Sequence, residues 1–269
     1  MNKLYYLSLL PAIYSLRWTW WKKDMPGLSV LCYHKIGYPP ENSRLKELWI
    51  KPEKFDKQIK WLIKNGYKTL LFSDLLEIYK SKKPLSGNEV LITFDDGYEN
   101  NYTYAYKILK ENNAKANIFV VFNTIGKVNI WHNPEKEAWI NMANEEMLME
   151  MQESKIIEFG SHTMNHPKLE NLPLEDAIYE INESKRQLEK LFKKEMIAFA
   201  YPYGSGAYNK DIRKAVLDSG YVFDFSFKQG KTNWPWDREN NTIDRLFIKN
   251  NDTLFDLKLN IKKGMDTIF

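Results

Sequence analysis

The sequence predicts an α/β fold built on one parallel sheet or barrel. Short apolar runs of strand length alternate with longer segments whose apolar residues recur at helical spacing, and this alternation is typical of parallel strands joined by helices. The alternation continues along nearly all of the 269 residues, without a sequence repeat or a low-complexity linker. We therefore expect one domain over residues 28–269, preceded by an N-terminal segment of residues 1–27.

The N-terminal segment, MNKLYYLSLLPAIYSLRWTWWKK, has one early lysine, a mostly apolar run and a tryptophan-rich basic end. It is too short to cross a bilayer, and it lacks the small-x-small cleavage site of a secretory signal. Its flank suits a membrane interface, so residues 3–23 are a candidate for peripheral membrane contact; a helix packed on the domain is the alternative. We favour a cytoplasmic or membrane-peripheral location over a periplasmic or extracellular one.

Strands are predicted where short apolar runs are bounded by polar or turn residues. In chain order these runs are GLSVLCYHKI, YKTLLF, EVLITF, KANIFVVF, KIIEFGSH, EMIAFAYP, YVFDFSF and TIDRLFI.

Helices are predicted between these runs. In KPEKFDKQIKWLIKNG, apolar residues repeat at helical spacing between an early proline and Gly66, which are ordinary start and stop signals. The other predicted helices are SDLLEIYKSK, NNYTYAYKILKEN, NEEMLMEMQES, PLEDAIYEINESKRQLEKLF, NKDIRKAVLDSG and DTLFDLKLNIKK.

Composition excludes several classes of function. A net charge of +4 is too mild to indicate nucleic-acid binding, and no zinc-finger, P-loop or dinucleotide glycine motif occurs. The single cysteine, Cys32, cannot form an intrachain disulfide, and its apolar neighbours predict a buried, inert thiol.

Polar residues with catalytic capacity follow several predicted strands. His34 ends the first strand, Asp95 and Asp96 end EVLITF, and His162 and His166 follow the strand IIEFGS. Active sites of parallel α/β folds lie at the carboxyl ends of their strands. We therefore expect these residues, far apart in sequence, to meet at one rim.

The residue types at this rim suit a metal site. Two histidines four residues apart, joined by a carboxylate from elsewhere, form a common catalytic zinc pattern. Asp96 is the natural third ligand, which leaves Asp95 to take a proton from a metal-activated water. The simpler alternatives are an Asp-Gly turn that ends a strand and two structural histidines.

Three motifs, TFDDGY, SHTMNHP and AYPYG, resemble in order and spacing those of the polysaccharide deacetylase (NodB-homology) family, over roughly residues 28–250. The resemblance implies a distorted (β/α) barrel of about seven strands and metal-dependent deacetylation of a glycan, usually at N-acetylglucosamine units. It implies Asp95 as catalytic base and Asp96, His162 and His166 as ligands of one divalent metal. Zn²⁺ is the usual ion in the family, and Co²⁺ or Ni²⁺ would also suit these ligands.

The third motif departs from the family pattern. Many members carry there an arginine that holds the catalytic base, whereas this chain has Ala200. Tyr203 still matches the residue whose backbone N–H helps to form the oxyanion hole. Arg245, in DRLFI, is a candidate for the missing cation, and an unrelated surface or ion-paired arginine is the alternative.

The proton donor also departs from the common pattern. Many members take it from a late Leu-x-His motif, but no histidine follows His166. The stretch VLCYHKI resembles the branch that deacetylates poly-N-acetylglucosamine, where this histidine lies on an early strand. His34 is therefore the candidate general acid, and a core histidine is the alternative.

Two other functions are compatible with the sequence. A glycosidase would need carboxylates on opposite sides of the scissile bond, so Glu99 or Asp224 would have to act with the aspartate pair. A glycan-binding protein with a relic metal site would keep the ligands without turnover. Three tryptophans could wall a sugar groove or simply pack in the core: Trp131, Trp234 and Trp236.

Overall fold

The computed structural model describes residues 24–264, in which strands and helices alternate. The strands are β1 (Ser29–Tyr33), β2 (Lys35–Ile36), β3 (Trp49–Ile50), β4 (Lys68–Leu70), β5 (Glu89–Phe94), β6 (Ala116–Val120), β7 (Ile157–Ser161), β8 (Ala198–Ala200), β9 (Phe223–Gln229) and β10 (Ile243–Phe247). The α-helices are α1 (Pro52–Lys64), α2 (Phe72–Lys80), α3 (Lys107–Glu111), α4 (Glu145–Glu153), α5 (Leu174–Phe192), α6 (Lys210–Asp218) and α7 (Leu254–Lys263). Each helix and strand predicted within this range has a counterpart.

Seven parallel strands close into a barrel. Their order around the ring is β1, β10, β9, β8, β7, β6, β5, and β1 then pairs in parallel with β5 to close it. The small pair of β2 and β3 forms a separate sheet. The predicted barrel of about seven strands is confirmed.

The barrel is distorted where β4 inserts beside β5. The first half of β5 pairs with β4, whereas Thr93 and Phe94 in its second half pair with β6. Asn117 spans the junction: its side-chain amide donates to the carbonyls of Leu70 at 3.0 Å and Ile92 at 3.3 Å. Because this side chain supplies the donor that regular strand pairing lacks there, the split edge stays hydrogen-bonded while buried.

Strand alternation divides the core into an inside and an outside layer. Alternate residues of β5, such as Ile92 and Phe94, pack in the layer under the helices, whereas Leu91 belongs to the smaller cluster within the ring. Aromatic rings fill the barrel, since Phe72, Phe119 and Phe225 contact one another at centroid distances of 5.2–5.6 Å.

One predicted helix has an unexpected start. The segment after the Asp-Asp-Gly turn begins as a π-helix (Asn101–Tyr106) and continues as α3. Such wide turns often occur at functional sites. Here Asn101, at the start of the π-helix, donates its side-chain amide to the carbonyl of His34 at 2.8 Å, which ties this segment to the end of β1.

Two predictions concern residues at the chain's beginning. The proposed membrane-contact segment, residues 3–23, lies outside the described residues, and the boundary at residue 28 stays a prediction. Among residues 24–264, no helix has both the length and the apolar character needed to cross a membrane.

Candidate active site

Asp96, His162 and His166 converge at the carboxyl ends of β5 and β7. The Nε2 atoms of His162 and His166 lie 3.5 Å and 3.2 Å from Oδ1 of Asp96, and all three side chains are buried. The two imidazole rings are 4.9 Å apart between centroids. One nitrogen or oxygen from each residue thus lies within 4.8 Å of the others, as a shared metal ion requires.

Tight backbone turns bring these side chains into place. Asp96 and Gly97 both have positive φ, at 78° and 85°, so the chain reverses immediately after β5. Below His162, the position of Gly160 leaves no room for a side chain, because an added Cβ would come within 2.7 Å of the Phe119 ring. The Gly in FGSH therefore lets β7 approach the barrel's aromatic filling.

The donor set fits a divalent metal ion. Oδ1 of Asp96 is buried and accepts no hydrogen bond of good geometry from the described residues, which would be costly without a cation. Nδ1 of His162 lies 2.8 Å from the carbonyl oxygen of Ala200, so it carries the proton and its Nε2 lone pair faces Asp96. Burial lowers the pKa of His162 to about 4, which keeps this imidazole neutral and able to bind metal.

Asp95 has a different environment from Asp96. Its Oδ1 and Oδ2 accept hydrogen bonds from Nη1 and Nη2 of Arg245 at 2.6 Å and 2.9 Å, and both side chains are buried. Burial raises the pKa of Asp95, but the charge of Arg245 and then of the nearby histidines outweighs it, leaving the pKa below its ordinary value. Asp95 is therefore a carboxylate at neutral pH. Arg245, whose Nε also donates to Ser226 O at 2.8 Å, is thus the cation beside Asp95 for which the sequence made it a candidate.

His34 lies at the same rim, beside Asp95. Its Nε2 is 3.9 Å from Oδ2 of Asp95, and its ring meets Phe227 and Phe247 edge-on at 6.1 Å and 5.6 Å. Burial lowers the pKa of His34, and the charge of Asp95 opposes this effect. His34 is thus not a core residue beneath the sheet but a partly exposed group beside the carboxylate.

Tyr203 lies next to His166. It lies in the turn Pro202–Gly204 with φ of 57°, its side chain is half exposed, and its ring centroid is 4.6 Å from that of His166. The positive φ of a bulky residue marks a conformation imposed by its surroundings. The structure therefore places all the sequence-predicted site residues at one rim.

The three tryptophans that the sequence offered as walls of a sugar groove lie in two different places. Trp131 stacks on His166, with ring centroids 4.4 Å apart, and so belongs to the site. Trp234 and Trp236 instead pack around Tyr79 at the end of α2, so they are not part of the candidate active site. Tyr79 also contacts Phe223, the first residue of β9, at a centroid distance of 5.9 Å, so this cluster lies at the end of the barrel opposite the rim. Nothing local in the sequence distinguished the three tryptophans.

Cys32 is the buried thiol that its apolar neighbours predict. Its Sγ lies 3.6 Å from Oδ2 of Asp95, and burial raises its pKa well above the ordinary value. Cys32, His34 and Asp95 also fall within the span of a metal site. A protonated thiol and the guanidinium of Arg245 on Asp95 both oppose a cation there, so we assign the metal to the other group.

A comparison with known proteins gives relatives of one kind. A family model described as polysaccharide deacetylase matches residues 82–223. YxkH of Bacillus subtilis, which is named for the same activity, is 33% identical over 213 residues, covering 78% of this chain and 68% of that protein. The poly-beta-1,6-N-acetyl-D-glucosamine N-deacetylase of Staphylococcus aureus is 31% identical over 202 residues, covering 72% and 66%. The chain thus spans about two thirds of the length of these curated relatives.

Solved structures show the same fold. A polysaccharide deacetylase from Bacillus cereus, BC0361, superposes with a TM-score of 0.73 at 25% identity, covering 88% of this chain and 69% of that one. The Streptococcus pyogenes deacetylase PplD, solved with acetate, gives a TM-score of 0.74 at 24% identity and 88% and 99% coverage. Taken with the family model and the curated relatives, these matches mean that the chain belongs to the polysaccharide deacetylase family.

Proposed function

We propose that this protein is a metal-dependent deacetylase that hydrolyses the acetamido group of N-acetylated sugars in a polysaccharide or glycoconjugate and releases acetate. The observation that carries the proposal is the pairing of two neighbouring aspartates with different partners. Asp96 faces two histidines, while Asp95 is held by Arg245. The named substrate of the Staphylococcus aureus relative supports a polymer of N-acetylglucosamine as the glycan.

Asp96, His162 and His166 would hold the metal. A divalent ion bound there polarises a carbonyl oxygen and lowers the pKa of water towards neutrality. Burial raises the pKa of Asp96, but the imidazoles, first of all His166, lower it below its usual range, so the carboxylate is ionised and ready to bind a cation. Zn²⁺ is the proposed ion, and Co²⁺ or Ni²⁺ would suit the same ligands.

Asp95 is the proposed general base. As a carboxylate it accepts a proton from the water whose oxygen attacks the amide carbon. Arg245 donates to both carboxylate oxygens and so fixes the orientation of the Asp95 carboxylate and of its lone pairs. Arg245 is therefore a positioning residue that also keeps Asp95 ionised.

His34 and Tyr203 complete the proposed reaction. The backbone N–H of Tyr203 is the donor for the negative charge that develops on the amide oxygen. His34, in the imidazolium form that the charge of Asp95 favours, donates a proton to the amide nitrogen as the C–N bond breaks. Water thus adds to the acyl carbon, and acetate and a free amino sugar leave.

A glycosidase is disfavoured by the positions of its required carboxylates. Asp224 is buried, where it pairs with Nε of Arg213 at 2.9 Å and accepts from the Tyr201 hydroxyl at 3.1 Å. Asp224 is therefore held in the wall of the barrel by these partners and is not available as a catalytic carboxylate. Asp95 and Asp96 are adjacent, so they cannot flank a glycosidic bond at the separation that such enzymes use.

Product analysis tests this proposal. We expect zinc-loaded protein to release acetate from poly-N-acetylglucosamine without shortening the chains. Shortened chains without acetate would identify a glycosidase. Zinc binding without either product, across N-acetylated polymers and oligomers, would instead identify a glycan-binding protein.

A further inference from the structure

The loop between β7 and α5 carries both candidate histidine ligands in a constrained backbone. Thr163 and His166 have φ values of 70° and 60°, in the left-handed region that side chains with a Cβ rarely adopt. Such conformations persist only where neighbouring structure imposes them. The loop's carbonyls are held from one side, since those of Thr163 and Met164 accept N–H donors of Phe122 and Asn123 at 3.1 Å and 2.9 Å.

A single carboxylate holds the loop from the other side. Oε2 of Glu180, on α5, accepts the backbone N–H groups of both Met164 and Asn165 at 2.9 Å, and Oε1 accepts the Asn165 side-chain amide at 2.6 Å. Glu180 is buried, with 7% of its surface exposed. Three donors converging on one buried carboxylate give strong, directional hydrogen bonds.

We propose that Glu180 is a positioning residue of the metal site, which fixes the spacing between the rings of His162 and His166. The inference rests on the proposed metal-binding function. The two N–H groups that Glu180 accepts lie between the two histidines in sequence, so releasing them frees the segment that sets the distance between the rings. A metal ion would then have to order this segment on binding, and the affinity of the protein for the metal would fall.

Zinc affinity of the metal-stripped protein, measured by competition with a chromophoric chelator, tests the role. Substitution of groups that support metal ligands commonly weakens binding 10–100-fold. We expect a loss in that range for Glu180→Ala and a smaller loss for Glu180→Gln, because the glutamine oxygen can still accept the two N–H groups. Thermal unfolding of the same stripped proteins reports stability independently.

Glu189→Gln is the matched control. Glu189 lies on the same helix and accepts the backbone N–H of Met196 at 3.0 Å, ahead of β8 and away from the rim. We expect this variant to lose thermal stability and keep the zinc affinity of the wild type.

Each outcome bears on the inference. Wild-type zinc affinity in Glu180→Gln and Glu180→Ala would overturn it, and if Glu180→Ala does not fold, the glutamine variant decides alone. An equal loss of affinity in Glu189→Gln would also overturn it, because the effect would then follow stability. Absence of zinc binding by the wild type would overturn the proposed function itself, which distinguishes the two failures.

Discussion

Replacing Arg245 with methionine tests how the base is kept ionised. The side chain donates two hydrogen bonds to Asp95 at 2.6 Å and 2.9 Å inside the barrel, and methionine fills similar volume without charge. The variant leaves the Asp95 carboxylate buried without its main cationic partner. Lysine at the same position keeps the charge but cannot bridge both oxygens, so its effects on stability and on the pKa of Asp95 should be smaller than those of methionine.

Breaking one partner of a buried ion pair costs about 3–5 kcal/mol of unfolding free energy. For a domain of this size, about 2–4 °C of melting temperature is lost per kcal/mol, so a fall on the order of 10 °C is expected. Burial raises the pKa of Asp95 and Arg245 is the chief opposing charge, so its removal moves the pKa upward. A larger fraction of Asp95 is then protonated at each pH near its pKa, and the acid limb of kcat/KM moves to higher pH.

The assay is acetate release from poly-N-acetylglucosamine across a pH series, with zinc-loaded wild type, Arg245→Met and Arg245→Lys. Arg213→Met is the matched control, because Arg213 pairs with buried Asp224 outside the rim. We expect the control to lose stability and keep the pH profile. An unshifted acid limb in Arg245→Met, or the same shift in the control, would refute the role given to Arg245.

Three further predictions concern the neighbouring residues. His34→Gln should lower kcat by about 10²–10⁴ while zinc affinity stays unchanged, and near-normal kcat in that variant would remove His34 as the acid. Gly160→Ala should destabilise the protein by about 1–3 kcal/mol in denaturant unfolding, because the new methyl would meet the Phe119 ring at 2.7 Å and the Ala198 carbonyl oxygen at 2.9 Å. Equal stability would show that both the ring and the strand can shift. Trp131→Leu should weaken zinc binding, because it removes the ring stacked on His166. Trp236→Leu is the control, and we expect it to lose stability but keep its zinc affinity. Unchanged zinc affinity in Trp131→Leu would mean that Trp131 only packs.

The strand–helix order and the rim were predictable because they depend on local periodicity and one general rule. Strand period and parallel topology put Asp95, Asp96 and the two histidines at the same ends of strands. The relative position of β4 was not predictable, since it depends on how Asn117 bridges a split edge. The π-helix before α3 was likewise not predictable, because the spacing of apolar residues there indicates only a helix.

Contacts between distant segments account for what the sequence left open. Arg245 is 150 residues from Asp95, and only the closure of β10 onto β1 brings them together. Glu180 looks like an ordinary polar residue of an amphipathic helix, yet it binds the histidine loop. Trp131 lies in an irregular connection between β6 and α4, where no periodicity predicts a partner.

In the proposed function the adjacent aspartates have separate tasks, Asp96 as metal ligand and Asp95 as base. Zinc stoichiometry and acetate release, measured together on Asp95→Asn and Asp96→Ala, test it most directly. We expect Asp95→Asn to bind one zinc ion but release almost no acetate, and Asp96→Ala to lose the zinc as well. Robust acetate release by Asp95→Asn, or full zinc retention by Asp96→Ala, would contradict it.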